Sequence, residues 1–313
     1  MAHDRKFRFG VMCGDLRDGP RYLDIARKAE DLGYSTFFSP DHFVDHPTAP
    51  IPALAAVAAV TTTLKIGTLV LGNDYRHPVV VATEVAALDQ ISQGRLEFGL
   101  GAGWMKVDYE KAGMPYDRAG VRIDRLEEAI TVIKGLFGDG PFSFSGEHYT
   151  VTDLDGQPKP FTPGGPPWII GGGGPRILGV AARHASIVGV NAKLDTGVQG
   201  PGTAKNLAAA STDQKLGWLR AAAGDHFDDL EIQNLTGFVH VTDDATAVAE
   251  RIAAAFEVTP DEALHSPAVL VGSVGEMAEE LEARRSRWAM SYHVVPWETM
   301  DDFAPVVARL TGT

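Results

Sequence analysis

Short, almost uninterrupted apolar runs alternate with stretches of helical periodicity along this chain, and that repeat limits the fold more than any other feature. Phe7–Met12 is the first apolar run, closed by Cys13-Gly14. Pro20 stands at a helix start, and Tyr22, Ile25, Ala26, Ala29 and Leu32 keep a helical spacing up to Gly33, a natural C-terminal stop. Thr36–Ser39 is the second run, so the order begins strand, helix, strand, which favours parallel pairing. The same reading predicts strands over Lys65–Leu71, Leu96–Leu100, Pro166–Ile170, Ser186–Val190, Ile232–Val241 and Ser291–Val295. It predicts helices over Ala53–Val60, Val79–Ile91, Val121–Phe137, Arg176–Arg183 and Thr203–Ala223, then a seventh over Asp244–Phe256 and an eighth over Glu276–Arg287. Phe142–Val151 reads as a β-hairpin inserted after the fourth helix.

Strands this short and this apolar suit burial on both faces by surrounding helices. Eight of them alternating with helices imply an α/β fold, a (β/α)8 TIM barrel, rather than an open doubly wound sheet. An open sheet would favour Gly-x-Gly-x-x-Gly after the first strand, where this chain has Cys-Gly-Asp-Leu-Arg-Asp-Gly. The 34 glycines and 19 prolines fall between periodic segments and mark no linker, so residues 1–313 are expected to form one domain.

A formal net charge of −13, with no basic run, disfavours nucleic acid and anionic membrane as partners and leaves small molecules. Cys13 is the single cysteine, which excludes an intrachain disulfide and a cysteine metal cluster, and the 10 histidines lack His-Glu-x-x-His spacing. No dedicated metal site is expected. Met1–Phe9 is polar, and no apolar run approaches the roughly 20 residues that span a bilayer, so a cytoplasmic location is expected.

On a barrel, chemistry gathers where the strands end. The second strand stops at Pro40 and presents Asp41, His42 and Phe43. There an imidazole among aromatics can pass a proton near neutral pH, although an Asp-His pair also fits a capped turn with a packed ring. Residues 69–75, Gly101–Trp104 and His293–Trp297 join the same rim, as do Cys13 and Gly14. Tyr292 and His293 alternate on the last strand, so one of the two points inward. The strongest local signal is Gly171, Gly172, Gly173 and Gly174 before Pro175 and a helix. Bare N–H groups at such a helix start suit an anion, and Arg176 adds charge, whereas a turn alone explains one or two glycines.

Taken in order, the following motifs resemble the bacterial-luciferase-like superfamily, and within it the actinobacterial branch that uses the deazaflavin coenzyme F420: Phe-Arg-Phe-Gly at 7–10, Ala-Glu-Asp-Leu-Gly-Tyr at 29–34, Ser-Pro-Asp-His-Phe at 39–43, Lys-Ile-Gly-Thr at 65–68, Arg-His-Pro at 76–78, Gly-Arg-Leu-Glu-Phe-Gly-Leu-Gly-Ala-Gly-Trp at 94–104, Arg-Leu-Glu-Glu-Ala-Ile at 125–130 and Gly-Gly-Gly-Gly-Pro at 171–175. The likeness weakens over 193–231.

The resemblance implies a cis peptide between Leu69 and Val70 that supports the cofactor ring, with Gly72 beside it and Asp41 at the ring's edge. The cofactor's phosphate and tail are expected at the glycine run and Arg176, most directly at Gly173 and Gly174. His42 matches the histidine that related sugar-phosphate dehydrogenases use near hydride transfer. Those enzymes carry a glutamate where this chain has Trp104, so their substrate is not carried over, and an apolar or aromatic one is expected in a pocket of Cys13, Phe43, Trp104 and Tyr292. Two other readings stay open: a monooxygenase using reduced FMN and oxygen, and a cofactor-binding protein without turnover. A homodimer is expected from the resemblance.

Overall fold

Eight parallel strands close on themselves in the computed structural model, which describes residues 5–194 and 196–313. They are β1 (Arg8–Met12), β2 (Thr36–Ser39), β3 (Lys65–Thr68), β4 (Leu96–Gly101), β5 (Trp168–Gly172), β6 (Ile187–Val190), β7 (Glu231–Leu235) and β8 (Met290–Pro296). Each pairs with the next, and β8 returns to β1 in a register running from Arg8↔Tyr292 to Met12↔Pro296. This is the predicted (β/α)8 barrel. Residues 1–4 of the polar stretch Met1–Phe9, and residue 195 in the loop after β6, lie outside the described residues.

The period of two along each strand divides side chains between the barrel interior and the helical coat. On β1, Phe9 faces outward and meets Phe303 of the helix Met300–Leu310 edge-on at 5.6 Å. Arg8 faces inward at the N-terminal end, 3.6 Å from the Tyr292 ring centroid and bonded to Glu97 (2.5 Å) and Glu231 (2.6 Å). Above this charged layer Phe38, Ile169, Ile187 and Val294 form an apolar one, and Met12, Leu69, Val70 and Leu235 pack on it. Gly67 and Gly10 make room for the Phe38 ring, since a Cβ at either would fall 2.4 or 2.9 Å from it.

Four sequence expectations are corrected. The seventh strand does not run to Val241: β7 ends at Leu235, and Phe238–Val241 pairs instead with Val269–Gly272 in a separate two-stranded sheet. The helices Ala245–Phe256 and Val274–Trp288 form as read, both between β7 and β8, but the chain's last helix is an unread one, Met300–Leu310, which follows β8 and whose internal Pro305 masks its periodicity. The loop after β4 holds a further helix, Lys106–Ala112. Tyr292 takes the inward place on β8 but sits in the lowest layer, where its hydroxyl donates to Glu97 (2.7 Å). The inserted hairpin forms but runs past Val151, with Pro141–Ser145 antiparallel to Thr150–Asp155.

His293 takes the outward place, fully buried against Phe7 and Phe9 with Nδ1 unpartnered. Burial, helped by the Arg284 charge, pushes its pKa down to about 3. An unfolded imidazole titrates near about 6.5, so between these values the unfolded chain holds the extra proton. This group's contribution to stability is therefore complete above pH 6.5 and falls as pH drops toward 3, by about 1.4 kcal/mol per unit. His293→Phe should flatten that part of the stability profile in urea unfolding at pH 4.5 and 7. An unchanged acid slope would refute the assignment.

Candidate active site

A cavity of about 860 Å³ opens at the C-terminal mouth of the barrel, lined by the segments that leave the strands. Between β3 and the short extension Leu71–Gly72, the Leu69–Val70 peptide is cis, as the resemblance implies, and both residues line the cavity. The extension pairs with the end of β4 through Leu71↔Leu100 and Gly72↔Gly101.

Asp41 holds this broken segment in place. Its buried carboxylate accepts the Gly72 N–H at 2.9 Å and both Arg76 Nη groups at 2.6 and 3.0 Å. It reaches the cavity wall with most of its acceptor capacity already used. Arg76 was visible only as part of the motif Arg-His-Pro; the ion pair gives it a function.

His42 is held from one side. Its Nδ1 lies 2.7 Å from Oδ2 of Asp108, a fully buried carboxylate on the helix Lys106–Ala112. Oδ1 of Asp108 accepts the backbone N–H groups of Phe43 (3.0 Å) and Val44 (3.1 Å), which locks the turn carrying His42. A carboxylate only accepts, so Nδ1–H donates to Asp108 and Nε2 is the ring nitrogen left available for proton transfer. Trp104 meets the imidazole edge-on at 5.7 Å, and both line the cavity. Asp108 escaped the sequence reading because its loop showed no periodicity long enough to announce a helix.

The four glycines divide. A Cβ at Gly171 would fall 2.8 Å from Asn191 Nδ2, at Gly172 2.2 Å from Ile177, and at Gly173 2.3 Å from the Ala192 backbone. The protein's own packing thus accounts for three of the four. Gly174, at the N-cap of the helix Pro175–His184, has nothing within 4 Å. The first turn of that helix lines the cavity, and the N–H groups of a helix's first turn lack intrahelical partners. Arg176 also lines it, but its half-exposed guanidinium already pairs with Asp124 and the Gly120 carbonyl.

Three expected pocket residues fall elsewhere. Cys13 is fully buried in the outer core because it alternates with Met12, which takes the cavity side; burial pushes its thiol up to about 11. Tyr292 lies in the charged layer far below the mouth. Phe43 is exposed on the rim, its ring 4.6 Å from Tyr75. Tyr75, at the end of the rim segment 69–75, lines the cavity, and so do His46, Asn191 and Gln233, which were not singled out in the sequence. Among the described residues no helix is long and apolar enough to cross a membrane.

Residues 7–306 match the model of the luciferase-like monooxygenase family. An F420-dependent glucose-6-phosphate dehydrogenase of Microbacterium testaceum is 32% identical over 186 residues, 57% of this chain and 54% of that protein. The chain thus spans about half the length of the curated relatives it matches. Among solved structures, a coenzyme F420-dependent tetrahydromethanopterin reductase from Methanopyrus kandleri superposes with a TM-score of 0.77 at 18% identity, covering 98% of this chain and 99% of that one. An F420-dependent secondary alcohol dehydrogenase gives 0.75 at 20% identity, covering 97% of each. At these identities the structural likeness shows the fold.

Proposed function

Because the chain belongs to the luciferase-like monooxygenase family, we propose that it works as a coenzyme F420-dependent oxidoreductase, a single barrel domain that exchanges a hydride with an organic substrate of apolar or aromatic body. The observation that carries this reading is His42, held at Nδ1 by buried Asp108 and set against Trp104 on the cavity wall. The F420 dependence of the Microbacterium testaceum relative supports the choice of coenzyme.

The cavity fits such a group. Leu69, Val70 and Gly72 offer an apolar shelf for a flat ring with Asp41 at its edge, and the open turn at Gly173, Gly174 and Arg176 suits a phosphate-bearing tail. Bound there, the coenzyme supplies the ring carbon that gives or takes the hydride. His42 moves the accompanying proton through Nε2, to the substrate heteroatom as its carbon accepts the hydride, or from that heteroatom's X–H as the carbon gives the hydride up. Met12, Trp104, Met105 and Val107 give the cavity an apolar wall. That wall, with Trp104 where related dehydrogenases carry a glutamate, supports an apolar or aromatic substrate. A homodimer belongs to the same reading and rests on the family likeness alone, and a cytoplasmic location is proposed beside it.

Titrating the protein with coenzyme F420 and with FMN, each oxidised and reduced, tests the reading through ligand fluorescence. Tighter binding of F420, with turnover on some organic substrate, is expected. Preference for FMN with oxygen-dependent turnover would replace the reading with the monooxygenase one. Binding without turnover on any substrate would leave a carrier, and no binding of either would remove the cofactor.

A further inference from the structure

On the helix Ala119–Phe137, Arg122 is 3% exposed and lines the cavity. Its Nη1 donates to the Asp117 carbonyl, its Cζ stands 4.2 Å from the Tyr116 ring centroid, and its Nε is buried with no hydrogen-bond partner. The nearby carboxylates are engaged elsewhere: Asp74 and Asp117 pair with Arg125, and Asp124 pairs with Arg176. Among the described residues none forms an ion pair with Arg122.

A guanidinium removed from water needs an opposite charge, and one carbonyl with one aromatic face replaces only part of its hydration. The molecule that fills the cavity can supply the missing partner. The open first turn of the helix Pro175–His184 lines the same cavity and also favours negative charge.

We propose that Arg122 binds an anionic group, phosphate or carboxylate, of the molecule that occupies this cavity. The inference rests on the reading above that an anion-bearing coenzyme enters the site, although its chemistry requires only an anion. Two sources are open to it, the coenzyme's tail or the substrate.

The test compares wild type with Arg122→Met and, should that variant not fold, Arg122→Gln. Each is titrated with F420 and with its riboside lacking phosphate and carboxylates, and with FMN and riboflavin. Loss of a charge-assisted hydrogen bond should weaken the anionic member of the accepted pair by about ten- to hundredfold and leave the neutral member unchanged. That outcome assigns the coenzyme's anion to Arg122. If coenzyme affinities hold but the variant loses the thermal protection that inorganic phosphate or benzoate gives wild type, the anion belongs to the substrate. Equal weakening of charged and uncharged ligands, or unchanged affinity for all anionic probes, would overturn the proposal. If wild type takes the flavin pair, the deazaflavin reading fails while the FMN–riboflavin comparison still decides Arg122. If it takes neither pair, the phosphate and benzoate arm decides.

Discussion

Replacing His42 with alanine should lower kcat for hydride exchange by about 10²- to 10⁴-fold, the usual range for removing a positioned general acid or base. The Kd for the coenzyme should stay unchanged, because the imidazole binds Asp108 and Trp104 rather than the glycine run or the Leu69–Gly72 shelf. Asp108→Asn gives a second, discriminating readout. The amide nearly preserves shape but offers Nδ1 a donor where it had an acceptor, which turns the basic nitrogen away from the cavity. A smaller loss in kcat with a displaced pH profile is the expected result. If His42→Ala retained wild-type kcat at every pH, the imidazole would be only a packed side chain.

Arg76→Met should destabilise the protein by about 3 kcal/mol, the low end for removing one partner of a buried ion pair. The loss arises because Asp41 is left charged in a buried site with the Gly72 N–H as its remaining partner. Arg76 itself is 22% exposed, so little of the effect comes from its own burial. Neutralising the orphan in the double variant Asp41→Asn/Arg76→Met should recover part of the loss. Urea unfolding of the three variants measures this directly. A single-variant loss below about 1 kcal/mol would match an exposed pair and refute the burial argument. Because Asp41 anchors Gly72 beside the cis peptide, Arg76→Met should also weaken ring binding, which connects this stability effect to the site.

The alternation of apolar runs and helical stripes sufficed to determine the barrel, and β2 falls at Thr36–Ser39 as read. Both signals have short periods, two and about 3.6 residues, so they survive in the order of side chains along the chain. The motifs likewise located the cavity's main segments at Asp41–His42, Leu69–Gly72, Trp104 and the glycine run. The tertiary structure alone decided which groups meet. His42 and Asp108 lie 66 positions apart, and closing a barrel brings them together with no mark in the local pattern. Likewise, three glycines that suggest an anion site in sequence are required by contacts with Ile177, Asn191 and the Ala192 backbone. One alternation placed Cys13 behind the wall and Met12 in front of it. Arg122, ordinary on a helical wheel, is buried without an ion pair among the described residues, while the nearby carboxylates pair with Arg125 and Arg176. Charge pairing in a closed fold depends on three-dimensional competition for partners, which residue order does not encode locally.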